Sequence, residues 1–496
     1  EVILNGYKFF GKNFFKKLRG FYSFCIFSQK ENSLILARDK LGKKPLYYYD
    51  SNNEFIFASE LQPLIDAIDR KQKINFDDIS HYLWKGYYAH GASAFKNIKS
   101  VLPGEIIKFD IFSKTTTVIQ LENFKLNINS NYSNRNIDQL KLSLVESIKY
   151  RFVSDVPVSM LLSGGVDSSL LTLFAGQELD KKFKTFYMGY TESNDEFKKI
   201  SELISKKIKS EHNSLIMSEP SIDLAAEKMI NLFGEPYTDY SALPSFELYK
   251  SVSKHSKVVI AGDGADEMFG GYKDTRLFLV FNFLNNLLPN ISLNDGLEKI
   301  YWLFSFNTRL TNSLSYLLSP LLLKENQLGL ITHNKGWNSF YRKKYMRNSG
   351  YKITGENDME TKEENIFFNS GDNLIERYMN YYLIRLVYDF LVKVDRTSMA
   401  NSIEVRSPYL DLNMMEKING NNIMSMCNFF QSKLELKKLL ANKGFKDITK
   451  VKKAGFTPPI NNWMKRNQGV RVLNEMTSDR NSIISELFDL NKVREL

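Results

Sequence analysis

Residues 158–174, VSMLLSGGVDSSLLTLF, constrain this chain more than any other stretch. An apolar run over 158–162 ends in a small-residue turn, Ser163-Gly164-Gly165-Val166-Asp167-Ser168-Ser169, after which Leu170, Leu171 and Phe174 follow helical spacing. A strand that feeds a glycine turn opening a helix is a phosphate cradle. The glycines let backbone approach an anion, the serine hydroxyls donate, and the helix N-terminus offers free N–H groups. Asp167 would repel phosphates unless a cation stood between them, so it reads as a ligand of an ion such as Mg2+. The turn lacks the Gly-Lys-Ser/Thr ending of the P-loop, which argues against kinase- and GTPase-type binding.

Residues 258–272, VVIAGDGADEMFGGY, repeat the arrangement with Asp263, Asp266 and Glu267 packed into five residues. Acids at a strand end are costly unless they serve a cation or a proton transfer. Strand-like runs at 183–188 and 213–217, each preceded by a helical stretch, predict a parallel, doubly wound α/β sheet. Such a sheet holds ligands at the carboxyl ends of its strands. Residues 301–496 are mostly helical by pattern, most clearly over 374–391.

The first 125 residues have another character. Short alternating runs at 21–27, 33–37, 45–49 and 54–58, bounded by Gly, Asn, Asp or Lys, predict an antiparallel sheet. A helical segment at 77–83 and a turn at 102–104 before strand-like 105–109 continue it. The polar segment 127–134 marks the boundary, giving domains 1–125 and 130–496.

A length of 496 residues suits two or three cores. The net charge of +11 comes from scattered lysines and forms no nucleic-acid patch. Cys25 and Cys427 match no disulfide framework or zinc spacing and favour a reducing, cytoplasmic setting. Cys25, inside an apolar run, reads as a small buried hydrophobe. The stretch 277–288 is too short and too rich in asparagine to span a membrane and predicts a buried helix. No secretory signal is visible, and a chain opening on Glu1 is expected to be a fragment.

SGGVDSS resembles the SGGxDSS loop of the ATP pyrophosphatases, which cleave ATP to AMP and pyrophosphate. On that resemblance Ser163, Gly164, Gly165, Asp167, Ser168 and Ser169 hold the phosphates, and Leu162, Met188 and Gly189 meet the adenine largely through backbone. GDGADEMFGGY resembles the SGEGSDExFGGY segment of asparagine synthetases, which implies that Ala261 and Gly262 contact AMP. Asp263 then occupies the acidic position important for intermediate formation, and Asp266 joins Asp167 near Mg2+. Ala261 in place of serine and Asp263 in place of glutamate depart from the best-known members.

Three N-terminal phrases, LRGFYSF at 18–24, ARDKLGKKPL at 37–46 and FASE at 57–60, resemble the second half of a class II glutamine amidotransferase domain, an antiparallel sandwich. That family's nucleophile is an N-terminal cysteine upstream of Glu1, so the chain as given is not expected to hydrolyse glutamine, while its parent is. Segment 234–244 resembles the family's substrate-facing loop without the arginine some members carry. Asp239 and Ser241 there are substrate contacts or, equally, turn residues. Segments 393–400, KVDRTSMA, and 404–411, EVRSPYLD, resemble the C-terminal core of asparagine synthetases, which implies that Asp395, Arg396 and Arg406 line the nucleotide site, with ordinary helix-surface salt bridges as the alternative. Lys453, in a basic loop like the family's, binds departing pyrophosphate. His212 reads as a structural histidine.

The first functional reading is therefore Mg-ATP-dependent amidation of aspartate through β-aspartyl-AMP, with ammonia from glutamine in the parent protein. A second keeps the adenylation and changes the acceptor to another carboxylate, such as a sugar acid. A third is a tRNA-modifying enzyme, against which stand the amidotransferase-like part and the missing zinc or CxxC pair. The first reading takes small-molecule partners only, with neither nucleic acid nor membrane, and is compatible with a homodimer.

Overall fold

The computed structural model describes residues 1–51, 54–68, 72–121, 124–128, 137–191, 196–287, 362–363, 365–420, 422–451, 456, 458–479 and 482–494. Its N-terminal part carries β1 (Ser23–Ser28), β2 (Ser33–Arg38), β3 (Tyr47–Ser51), β4 (Glu54–Ala58), β5 (Ile98–Ser100), β6 (Glu105–Asp110) and β7 (Thr115–Gln120). They form two antiparallel sheets ordered β1-β2-β6-β7 and β4-β3-β5. Alternation along β2 explains the layering, because successive side chains point to opposite faces. Ile35 and Ala37 join Phe14, Phe15 and Ile26 on the outer face. Leu36 turns inward to Leu46, Val101 and Ile107, against Tyr48, Phe55 and Phe57 of the second sheet. Phe55 stacks on Phe109 at 4.4 Å between ring centroids, closing the sandwich.

The C-terminal part is built on five parallel strands, β8 (Val158–Leu161), β9 (Thr185–Tyr190), β10 (His212–Met217), β11 (Val258–Ile260) and β12 (Glu404–Arg406), ordered β10-β9-β8-β11-β12. Chain order runs outward from β8 in one direction through β9 and β10, and then resumes at β11 on its other side. β8 and β11 thus flank a topological switch point, where doubly wound sheets open a ligand crevice. Helix Leu374–Arg385 passes through a π-helical turn at Leu386–Phe390 into helix Leu391–Met399. The apolar stretch near 277 lies in helix Lys273–Leu287, which is not buried throughout. Phe278 and Leu279 enter the core, whereas Phe283 is about half exposed. Among the described residues no helix is long and apolar enough to cross a membrane. Most of the expected boundary segment, 129–134, lies outside the described residues.

The two parts meet through half-buried polar contacts. Lys44 Nζ lies 2.8 Å from Asp395 Oδ1, and Arg19 pairs with Asp411 at 2.8 Å. The backbone N–H of Ala94 donates to Glu235 Oε2 at 2.9 Å. Burial pushes the Glu235 carboxyl up to about 8, against the opposing effects of the Ala94 N–H and the Arg396 charge. The native state then holds a proton that the unfolded chain releases, so stability declines as pH rises from the ordinary 4.5 to about 8. Glu235→Gln is expected to unfold at the same temperature as the parent below pH 4.5 and at a higher one above pH 8, measured by thermal melts across that window. A variant melting curve parallel to the parent's at every pH would contradict this.

Candidate active site

Both glycine turns lie at the switch point. Leu162 ends the first strand run with its side chain in the core and its N–H bonded to the Phe186 carbonyl at 2.8 Å. The backbone then turns through Gly164 at φ +75°, where a Cβ would stand 2.2 Å from the Phe197 carbonyl oxygen. No other residue fits there without moving the neighbouring backbone. Gly165 caps helix Val166–Gln177. Ser168 Oγ accepts the Ser163 N–H at 3.1 Å and lies 2.9 Å from Ser163 Oγ, so the loop is closed on itself before any ligand arrives. Ser169 Oγ, fully buried, has no hydrogen-bond partner among the described residues. A loop so held, with N–H groups at a helix start, suits an anion.

The second turn packs against the first: a Cβ at Gly262 would stand 3.4 Å from Asp167 Cβ and 3.6 Å from the Ser168 nitrogen. The Ala261 N–H bonds Arg406 O at 3.0 Å, fixing the turn to β12. Asp266, on the short helix Ala265–Met268, faces Asp167 across one cation. Lys433 Nζ lies 2.5 Å from Asp167 Oδ2 and 2.7 Å from Asp266 Oδ1. Burial pushes this ammonium down, but the charges of Asp167 and Asp266 outweigh that and hold it above its ordinary range. Gly271 makes the approach possible, since a Cβ there would fall 1.9 Å from Asp266 Oδ1 and 2.2 Å from Lys433 Cε. The Tyr409 hydroxyl donates to the Asp167 carbonyl at 3.1 Å from below.

Asp263 accepts the Ser407 hydroxyl at 3.0 Å. Asp239 and Ser241 come together at the start of helix Ala242–Val252. Asp239 Oδ1 accepts from Ser241 N at 3.0 Å and Oγ at 2.6 Å, while Lys393 Nζ reaches Asp239 Oδ2 at 3.0 Å and Ser241 Oγ at 2.8 Å. Met188 and Gly189 sit within β9, both buried, with the Met188 side chain in the core.

Arg406 and His212 make structural contacts, a reading the sequence left open for each, whereas Asp395 and Arg396 depart from the expected surface pairs. Arg406 is turned away from the glycine turns, to Glu404 at 2.8 Å and the carbonyls of Arg151 and Val153. Asp395 and Arg396 are buried at the contact between the two parts rather than paired on a helix surface, Arg396 lying over the Tyr47 ring at 5.3 Å. His212 is held on both ring nitrogens, by Thr185 Oγ1 at 2.9 Å and Ser201 Oγ at 3.1 Å. Lys453 lies outside the described residues. Sequence reasoning misses Lys433, Lys393 and Ser407. Lys433 precedes helix Leu434–Asn442, and no local pattern singles out its side chain or that of Lys393.

A doubly wound sheet with two glycine turns side by side at its switch point, joined to an antiparallel sandwich, defines an α/β protein with a β-sandwich partner. Comparison with known proteins makes this specific. The asparagine synthase family matches residues 139–496, and the glutamine amidotransferase domain family matches residues 1–120. The chain belongs to the asparagine synthase family and is a ligase of that family. It is 29% identical over 410 residues to the "Putative asparagine synthetase [glutamine-hydrolyzing] 2" of Methanocaldococcus jannaschii, covering 80% of this chain and 76% of the relative. It is 27% identical over 502 residues to the "Asparagine synthetase [glutamine-hydrolyzing] 1" of Bacillus subtilis, covering 97% and 74%. A putative glutamine-hydrolysing asparagine synthetase of Mycobacterium tuberculosis is 24% identical, with 94% and 71% covered.

Proposed function

We propose that this ligase forms asparagine from aspartate, ATP and glutamine-derived ammonia by way of β-aspartyl-AMP. The observation that carries the reading is the meeting of Asp167 and Asp266 on the Lys433 ammonium beside the helix N-terminus of the Ser/Gly loop. The site fits Mg2+ in its donor set. Two carboxylates already converge on a positive charge, both are hard oxygen donors, and the remaining positions of an octahedral ion suit water and phosphate oxygens. Among the described residues no third His, Cys, Asp or Glu joins them. When bound, Mg2+ neutralises charge on the phosphates.

The protein's own groups do the rest. The loop 163–169 holds the phosphates by N–H and hydroxyl donors, with Ser169 Oγ as a donor in reserve. Lys433 supplies a buried positive charge as pyrophosphate departs, and Lys453 is assigned the same task. Ala261 and Gly262 lie against the AMP moiety, and the backbone of Leu162, Met188 and Gly189 against adenine. Asp239, Ser241 and Lys393 present both signs of charge to the acceptor's amino and carboxylate groups. The acceptor's carboxylate oxygen attacks the α-phosphorus and the bond to pyrophosphate breaks. Ammonia then attacks the acyl carbon, Asp263 takes the proton lost from nitrogen, and AMP leaves carrying one oxygen of the original carboxylate. Positioning and fixed charge do most of the work in such a scheme.

The test is product analysis with the purified chain, ATP, Mg2+, aspartate and an ammonium salt. Asparagine, AMP and pyrophosphate in equal amounts support the reading. ADP and phosphate, or AMP formed only with another carboxylate in place of aspartate, would overturn it.

A further inference from the structure

Lys43 comes from the loop between β2 and β3 of the N-terminal part, yet its side chain ends in the C-terminal part. It is 2% exposed. Its ammonium donates to Ser407 Oγ, and the Ser407 hydroxyl donates in turn to Asp263 Oδ2 at 3.0 Å. Nζ also lies 4.8 Å from the Phe21 ring centroid. A fully buried lysine costs more than an apolar chain of equal length, and methionine would fill the same space more cheaply. What methionine cannot supply is a donor aimed, through one hydroxyl, at the acid of the second glycine turn.

We propose that Lys43 and Ser407 are positioning residues that hold Asp263 as an oriented carboxylate, so that the amidotransferase-like part completes the amide-forming site of the other. This rests on the role given to Asp263 above. The chain Lys43–Ser407–Asp263 uses one donor per link and leaves the second carboxylate oxygen, Oδ1, for the incoming nitrogen. Other charges around Lys43 have their own partners: Lys44 is paired with Asp395 at 2.8 Å, and Arg151 is paired with Asp411. Tyr249, which also feels the charges of Asp263 and Asp395, is fully buried and held neutral by that burial. Burial pushes the Lys43 ammonium down to about 8; Asp263 and Asp395 oppose this, and Lys44 and Arg151 add to it. The orienting charge is therefore lost as pH rises through about 8.

The experiment uses the full chain with an ammonium salt as nitrogen source and follows two half-reactions separately, ATP–pyrophosphate exchange and amide formation. Lys43→Met and Ser407→Ala are expected to lower kcat for amide formation by about tenfold or more while exchange stays within about threefold. Ser407→Thr, which keeps the hydroxyl, is expected to restore the rate. The double variant is expected to be no slower than the slower single variant. At constant free ammonia the parent loses rate as pH rises through about 8, and Ser407→Ala lacks that limb. Thermal melts accompany each variant, and Ser407→Ala carries the test if Lys43→Met does not fold.

A purely structural contact would lower exchange, amide formation and melting temperature together, and that result would overturn the proposal. So would unchanged amide formation in both variants. If Asp263→Ala slows amide formation and these variants do not, the proposal alone falls. If Asp263→Ala has no effect, the role of Asp263 falls first.

Discussion

Asp263→Ala is expected to lower the rate of amide formation by about 10²- to 10³-fold, the range typical of a positioned acid or base, while ATP–pyrophosphate exchange persists within about tenfold. The division follows from placement. The groups assigned above to the phosphates, Asp167, Asp266 and Lys433, form one closed ion cluster with distances of 2.5 and 2.7 Å. Asp263 stands outside that cluster, tied to Ser407 at 3.0 Å, and its removal leaves the cluster intact. Parallel assays of pyrophosphate exchange and ammonium-dependent amide formation check this. Equal loss of both would return Asp263 to intermediate formation, the role that the family resemblance implies for its position.

Asp411→Ala is expected to destabilise the fold by about 3 to 5 kcal/mol, the usual cost of removing one partner from a buried ion pair. Asp411 is 1% exposed and accepts from Arg19 at 2.8 Å, from Arg151, and from the Met414 N–H at 3.2 Å. Burial raises its carboxyl, but Arg151 and Arg19 together hold it below the ordinary 3.8. A depressed carboxylate contributes stability above its unfolded value that is lost as pH falls through the native one. The alanine variant leaves Arg151 buried and uncompensated, uncaps helix Leu412–Ile418 and releases Arg19 of the N-terminal part. Denaturant unfolding at neutral pH measures the loss, and the gap between parent and variant narrows as pH falls below 3.8. A loss under about 1 kcal/mol, as for an exposed pair, would contradict the burial argument.

The strands that carry the site are legible because their patterns are local. β8 and β11 are largely apolar runs followed within three residues by glycine, and β2 is the near-continuous apolar run of a strand covered on both faces. β5 and β12 are missed because three residues with charged members, Ile98–Ser100 and Glu404–Arg406, leave no period to detect. β7, largely exposed and rich in threonine, lacks an apolar face. The phosphate loop and the acids of the second turn are legible as chemistry. Their pairing is not, because the switch point that brings Gly262 to Asp167 depends on strand order. Lys433 closes on Asp167 over 266 residues and Lys43 on Ser407 over 364. No spacing rule reaches that far, so both lysines stand in the sequence as ordinary charges. The folded chain alone gives them partners.

The central claim, that aspartate is activated by bonding its carboxylate oxygen to the α-phosphorus, is tested most directly with aspartate carrying ¹⁸O in its side-chain carboxylate. Turnover with ATP, Mg2+ and ammonium is predicted to yield AMP bearing one ¹⁸O in its phosphoryl group and pyrophosphate bearing none. Label in inorganic phosphate, or AMP with no label while asparagine accumulates, would contradict it.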